Sequence, residues 1–271
     1  MAAYEIVCLT DVGRVRTGNE DAVFGEPELG FAILADGMGG YAAGEVASRL
    51  AVDEVCSELC SSLPLLLHKS GVDLSRGMDE DMRFAASRAN ESILKLADRE
   101  SDYEGMGSTL VVAVLLPEQI YVGHLGDSRA YRYTGGQIEQ LTRDHCWLDE
   151  QVAAGSLPAD ALTNPRYKNI VTRALGIEDE IDLEVHVHAV ERGDIFLICS
   201  DGLTDMVTDS QIAATLDADE PLKARAQRLI DLANVNGGKD NISVILMRVV
   251  SDEPGGWAAR LLKRLQGTVD G

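Results

Sequence analysis

The stretch Phe31 to Gly40, FAILADGMGG, constrains this 271-residue chain more than any other. Phe31 to Ala35 is a short apolar run bounded by glycine, which reads as a buried strand. Asp36 stands at its tip, and Gly37, Gly39 and Gly40 follow at once. Residues without a Cβ let a backbone carbonyl and a carboxylate face the same point, an arrangement that can hold a hard cation. The pattern recurs. Ile195 to Cys199 ends in Ser200-Asp201-Gly202-Leu203, and Gly237-Gly238-Lys239-Asp240-Asn241 opens the run Ile242 to Val250. One Asp-Gly is a turn signal. Three beside apolar runs far apart in sequence are harder to explain as turns alone, and an oxygen-only cluster suits Mg²⁺ or Mn²⁺ rather than zinc.

Around these landmarks the patterns alternate between strand and helix. Tyr4 to Thr10 and Ala22 to Phe24 read as strands, separated by a polar loop with Arg14, Arg16, Glu20 and Asp21. If that loop folds against Asp36, an arginine in it can grip a phosphate through two parallel hydrogen bonds. Apolar spacing predicts a helix over 45–63 stopped by Pro64, a loop over 65–78, and a helix over 79–100. A hairpin is expected over 108–125, turning at Pro117-Glu118, then Gly126-Asp127-Ser128-Arg129 and a strand from Ala130 to Tyr133. His124, inside an apolar strand, reads as a core residue rather than a ligand. The segment 141–176 is irregular, with a short helix over 147–154; it is either a surface insertion or a cover over a site. Residues 181–188 alternate strictly, so His186 and His188 share a face; they can bind a metal, although a solvated face explains them more simply. Helices over 209–216 and 222–235 precede the last core strand.

Strands outnumber helices and pair locally, which predicts antiparallel sheets flanked by helices, an α+β architecture. With no linker of biased composition, residues 1–250 form one domain. The tail, 251–271, carries a short basic amphipathic segment, Trp257 to Leu265. The net charge of −21, from 45 acidic and 24 basic residues, argues against nucleic acid as a partner. No membrane span or signal peptide is read at the N-terminus. Five cysteines without a CxxC pair fit reduced thiols and a cytoplasmic location.

The ordered set Arg16-Thr17-Gly18-Asn19-Glu20-Asp21, Asp36-Gly37-Met38-Gly39-Gly40, Gly126-Asp127-Ser128-Arg129, Ser200-Asp201-Gly202-Leu203 and Gly238-Lys239-Asp240-Asn241 resembles the bacterial branch of the PP2C-type metal-dependent serine/threonine phosphatases. The match runs from about Tyr4 to Val250. The resemblance implies a four-layer α-β-β-α sandwich of two antiparallel sheets. It implies two Mn²⁺ or Mg²⁺ ions per chain, bridged by Asp36, with the Gly37 carbonyl on one and Asp201 and Asp240 on the other. Asp127, with Asp201, matches a third and weaker metal site. Arg16 matches the phosphate-gripping arginine, and Asp21 a catalytic carboxylate that orients water on the metals; Glu20, Asp21 and Asn241 are expected around the ligands. The segment 145–175 matches the flap beside the site.

The implied reaction is hydrolysis of phosphoserine and phosphothreonine on proteins by a hydroxide bridging the two ions, in a monomer opposing a Ser/Thr kinase. Some relatives have histidine where this chain has Met38, so the acid for the leaving group is unassigned and metal-bound water is the candidate. A pseudophosphatase that only sequesters phosphoproteins would lack a ligand, and none is missing. A plain cation-binding domain would have no use for Arg16.

Overall fold

The computed structural model describes residues 4–39, 42–147, 151–152, 154–157 and 171–250. The chain opens with three strands, β1 (Tyr4–Asp11), β2 (Asp21–Glu26) and β3 (Phe31–Met38). Two long helices follow, α1 (Ala43–Leu66) and α2 (Gly71–Arg99). Next come β4 (Gly107–Ser108), β5 (Leu110–Leu115), β6 (Gln119–Leu125), β7 (Arg129–Thr134), β8 (Gln137–Gln140), β9 (Glu184–Ala189) and β10 (Ile195–Cys199). A single turn α3 (Asp201–Thr204), then α4 (Asp209–Leu216), α5 (Leu222–Val235) and β11 (Ile242–Val249) complete it.

The strands form two sheets, β1-β11-β10-β7-β8 and β2-β3-β5-β6-β9, with β4 added beside β3. Neighbours along both pair antiparallel. Alternation along each central strand explains the stacking. Phe31, Ile33 and Ala35 of β3 pack against α1 and α2, while Ala32 and Leu34 face the other sheet. Leu197 and Cys199 of β10, with Val244 and Leu246 of β11, pack against α4 and α5; Phe196, Ile198, Ile245 and Met247 fill the gap between sheets. Three apolar layers hold four layers of secondary structure together, the expected α-β-β-α sandwich. Because helices cover both sheets, the central strands are buried on both faces and read as unbroken apolar runs.

Three local expectations need correction. β3 does not end at Asp36; it continues to Met38, where Gly37 and Met38 pair with Ser108 and Gly107 of β4. α1 passes through Pro64 to Leu66. The proline cannot donate a hydrogen bond, but burial of Leu63 and Leu66 against α2 holds the last turn in place. Residues 71–78 are not loop but the first two turns of α2. Their apolar pattern is weak because Val72 is solvent-exposed, yet Gly77 lets α2 approach so closely that a Cβ there would overlap Leu66 Cδ1. Packing decides this helix start, not sequence periodicity. Half of the expected helix 147–154, much of the segment 145–175, and the tail 251–271 fall on positions outside the described residues.

Candidate active site

The same alternation that builds the core delivers polar groups to one end of the inter-sheet gap. Positions 32 and 34 of β3 face the opposite sheet, so position 36 does too, and Asp36 is the residue there. Asp21 lies directly across from it in the β2–β3 register. From the other sheet, Ser243 of β11 and Ser200 after β10 continue the inward-facing positions 245 and 198. Asp201, Asp240 and Asn241 flank these two serines in sequence. Carboxylates distant in sequence therefore converge where the two sheets end together.

Their electrostatics report that convergence. Burial and the charges of Asp21, Asp201, Asp127 and Asp240 push the Asp36 carboxyl well above the usual carboxylate range. Burial, then Asp127, Asp240, Asp205 and Asp21, do the same to Asp201. Burial also raises Asp21. Asp127 rises to about 6, through burial first and then the nearby Asp144 and Asp205 charges. Like charges crowded in a poorly hydrated place disfavour ionisation.

Neutral hydrogen bonds, and one ion pair from Arg16, hold the scaffold around this cluster. Ser200 Oγ donates to Asp21 Oδ2 at 2.8 Å and accepts from the Ser243 backbone N–H at 3.0 Å. Thr109 Oγ1 accepts from the Asp36 N–H at 3.0 Å and lies 2.8 Å from Ser128 Oγ. Asn241 fastens the loop after β1: its Oδ1 accepts from Glu20 N–H at 2.8 Å, and its Nδ2 donates to Val12 O at 3.0 Å and Gly18 O at 2.9 Å. That loop carries Arg16, whose Nη2 meets Asp240 Oδ2 at 2.8 Å with Glu20 Oε2 3.7 Å from Nη1. Gly37 owes its identity to crowding rather than to an unusual backbone angle. A Cβ there would overlap the Gly44 carbonyl at the start of α1, and would stand 2.7 Å from the Glu20 carbonyl.

The structure thus brings together Asp21, Asp36, Asp127, Asp201 and Asp240, with Arg16, Glu20, Gly37 and Asn241 around them. Ser200, Thr109, Ser128 and Asp205 were not singled out from sequence. Single hydroxyls carry no spacing signal. Asp205 did have one: it lies one helical turn after Asp201, its N–H bonded to the Asp201 carbonyl at 2.8 Å. Met38 is half-buried at the end of β3 and has no proton to give.

The donor set fits hard divalent ions. All its ligating atoms are oxygen. Buried Asp21 Oδ1 has no hydrogen-bond partner among the described residues, so the cluster holds an unsatisfied acceptor. Carboxylates held together against their own repulsion need cations to ionise.

Comparison with known proteins agrees with this geometry. The model of the family described as Protein phosphatase 2C matches residues 14–246. The chain belongs to the protein phosphatase 2C family. Among curated relatives, the serine/threonine phosphatase stp of Listeria monocytogenes serovar 1/2a is 37% identical over 242 residues, covering 88% of this chain and 93% of its own. Among solved structures, the S. agalactiae serine/threonine phosphatase superposes with a TM-score of 0.82 at 35% identity, covering 91% of this chain and 99% of its own. The catalytic domain of the phosphatase PstP, solved in complex with two manganese ions, gives a TM-score of 0.76 at 33% identity, covering 92% of this chain and 99% of its own. The sandwich expected from the family is the one observed.

Proposed function

We propose that this chain is a metal-dependent protein phosphatase that hydrolyses phosphoserine and phosphothreonine on proteins. The observation that carries the reading is the meeting of five aspartates with Arg16 at one end of the inter-sheet gap. Asp36, the Gly37 carbonyl, Asp201 and Asp240 would hold two Mn²⁺ or Mg²⁺ ions, and Asp127 with Asp201 a third, weaker one. Bound there, such ions lower the pKa of water and neutralise charge on the phosphate oxygens.

The chain's own groups supply positioning, which is most of what phosphoryl transfer needs. Arg16 binds the phosphate; its side chain is about half exposed, and Nη2 alone reaches Asp240, which leaves further N–H groups for the substrate. Asp21 Oδ1 accepts a hydrogen from the attacking water, and Ser200 Oγ holds the other oxygen so that Oδ1 keeps its aim. Asn241 and Glu20 keep the Arg16 loop seated. Attack on phosphorus forms one P–O bond while the ester P–O bond breaks, and the serine or threonine oxygen leaves with a proton from solvent. The physiological opponent is the Ser/Thr kinase that installs these phosphates. The protein acts as a cytoplasmic monomer; its edge strand β8 is short and polar, and no described helix is long and apolar enough to cross a membrane.

The test is phosphate release from p-nitrophenyl phosphate and from phosphothreonine peptides, with and without Mn²⁺. Asp36→Asn and Asp240→Asn are each expected to abolish metal-dependent release while circular dichroism stays native. Unaltered turnover in both variants rejects the assignment.

A further inference from the structure

Four of the chain's five histidines gather at one edge of the second sheet, on residues the phosphatase reading does not use. The rings of His124 and His145 stack at 4.6 Å; those of His124 and His186 lie 6.1 Å apart, and His186 and His188 6.4 Å. The β6–β9 register explains the gathering. It sets His124 opposite Glu184 and Val122 opposite His186, so all three polar residues project from one face of adjacent strands. A ring nitrogen from each of His124 and His186 and a carboxylate oxygen of Glu184 all lie within 4.8 Å of one another.

His124 shows what is incomplete here. Its side chain is fully buried, and Nε2 sits 2.9 Å from the Arg143 carbonyl. A carbonyl only accepts, so Nε2 carries the proton and Nδ1 the lone pair. That Nδ1 is buried without a hydrogen-bond partner among the described residues. Glu184, in contrast, is held: its Oε1 meets Arg173 Nη1 at 3.0 Å and His145 Nε2 at 3.1 Å, while Oε2 lies 3.7 Å from His186 Nε2. His145 is fixed in turn by the Gly126 N–H, which donates to its Nδ1 at 3.1 Å. Ion pairs account for Glu184 but leave the His124 lone pair unexplained. A histidine that donates one ring N–H to a backbone carbonyl and keeps the other nitrogen open has the outer contact typical of a metal ligand, and a carboxylate braced by charged neighbours has it too.

We propose that His124, Glu184 and His186 form a second metal site, built for a zinc-class transition ion rather than for Mg²⁺ or Mn²⁺. Two imidazoles and one carboxylate are the donor types that favour zinc and its neighbours over the hard ions suited to the aspartate cluster. Three protein ligands leave a fourth position to water. Closing the ligand atoms to the roughly 3.4 Å separation of a tetrahedral zinc centre falls to His186, whose side chain is 49% exposed. Burial pushes His124 below the ordinary histidine value, which keeps its lone pair available near neutrality. An ion here joins β6 to β9 beside residues 143–146, and His145 links that segment to Gly126, the residue before Asp127.

The test titrates Zn²⁺ into metal-free protein calorimetrically with Mg²⁺ in large excess, so that the aspartates are already satisfied. Co²⁺ serves as a second probe, since its visible absorption reports nitrogen ligation and low coordination number. One equivalent of Zn²⁺ per chain is expected. His186→Ala should weaken it at least about tenfold, as should His124→Gln, in which the amide N–H can still reach the Arg143 carbonyl. His188→Ala and Asp240→Asn should leave it intact. If His124→Gln fails to fold, His186→Ala at the exposed ligand decides the matter. Equal Zn²⁺ affinity in wild type and His186→Ala overturns the proposal. So does loss of binding in Asp240→Asn, or no stoichiometric binding under excess Mg²⁺.

Discussion

Removing the Asp127 charge should stabilise the metal-free protein, and the gain should depend on pH. Burial and the Asp144 and Asp205 charges raise this carboxyl from the ordinary 3.8 to about 6. A folded-state value above the unfolded one means that the folded protein holds the proton longer, so the stability it confers is complete below pH 3.8 and is lost as pH rises through about 6. At about 1.4 kcal/mol per pH unit, the folded state carries a penalty of about 3 kcal/mol at pH 8 and roughly half that at pH 5. Asp127→Asn removes the charge while keeping the shape. Urea unfolding in EDTA should therefore show the variant more stable than wild type by up to about 3 kcal/mol at pH 8, with a clearly smaller gain at pH 5. Saturating Mn²⁺ should reverse the order, because the wild-type carboxylate then has a cation to face. A variant no more stable than wild type at pH 8, or a gain that does not shrink at pH 5, would refute the reasoning that these aspartates are held together against their own charge.

Further outcomes follow from the same contacts. Gly37→Ala drives a Cβ into the Gly44 carbonyl, and neither backbone can yield without moving β3 from α1; a loss of about 2–3 kcal/mol, read as a melting point several degrees lower, is expected. Asn241→Ala removes three hydrogen bonds and leaves the Glu20 N–H unpaired, so stability should fall by about 1–3 kcal/mol and turnover should drop as the Arg16 loop loosens; unchanged turnover would mean that the loop is seated by other contacts. Arg16→Ala should raise KM for phosphopeptides about ten- to a hundredfold with a smaller effect on kcat, and a pure kcat loss would place the guanidinium in the transition state alone. Ser200→Ala strands Asp21 Oδ2 and the Ser243 N–H together; it should lower turnover without changing metal affinity, as measured by Mn²⁺ titration of activity.

How much of this was legible in the sequence depends on what each residue must do locally. β3, β10 and β11 were visible because helices cover both sheets, so every side chain along them is apolar until the strand leaves the core. The break in that run is itself the site signal: the first polar residue past Leu34 on the inner face is Asp36, and past Ile198 it is Ser200, with Asp201 next. The start of α2 was not visible, since its first turns are set by the close approach of Gly77 to Leu66, a contact with no periodicity. Pro64 misled for a related reason, because burial of its neighbours outweighs one lost hydrogen bond. The histidine cluster was only half visible. His186 and His188 share a face by alternation, but that His124 lies beside them on the next strand follows from register, and its open nitrogen from the contact of the other with the Arg143 carbonyl.

The aspartate cluster makes activity and stability two readings of one quantity. The raised carboxyls of Asp21, Asp36, Asp127 and Asp201 all shift in the direction that disfavours the folded state as pH rises. Cations that bind only the folded arrangement offset this, by about 2.7 kcal/mol when free ion stands at a hundred times its dissociation constant. That is close in size to the penalty assigned to Asp127 alone. The hydroxyl chain of Thr109 and Ser128, the Ser200 bridge and the Asn241 clamp are uncharged, so they hold the carboxylates in place whether or not ions are present. Neutral bonds therefore set the geometry and cations set the energy of the same site. For that reason Asn241→Ala and removal of metal should lower stability additively, whereas Asp127→Asn and removal of metal should not.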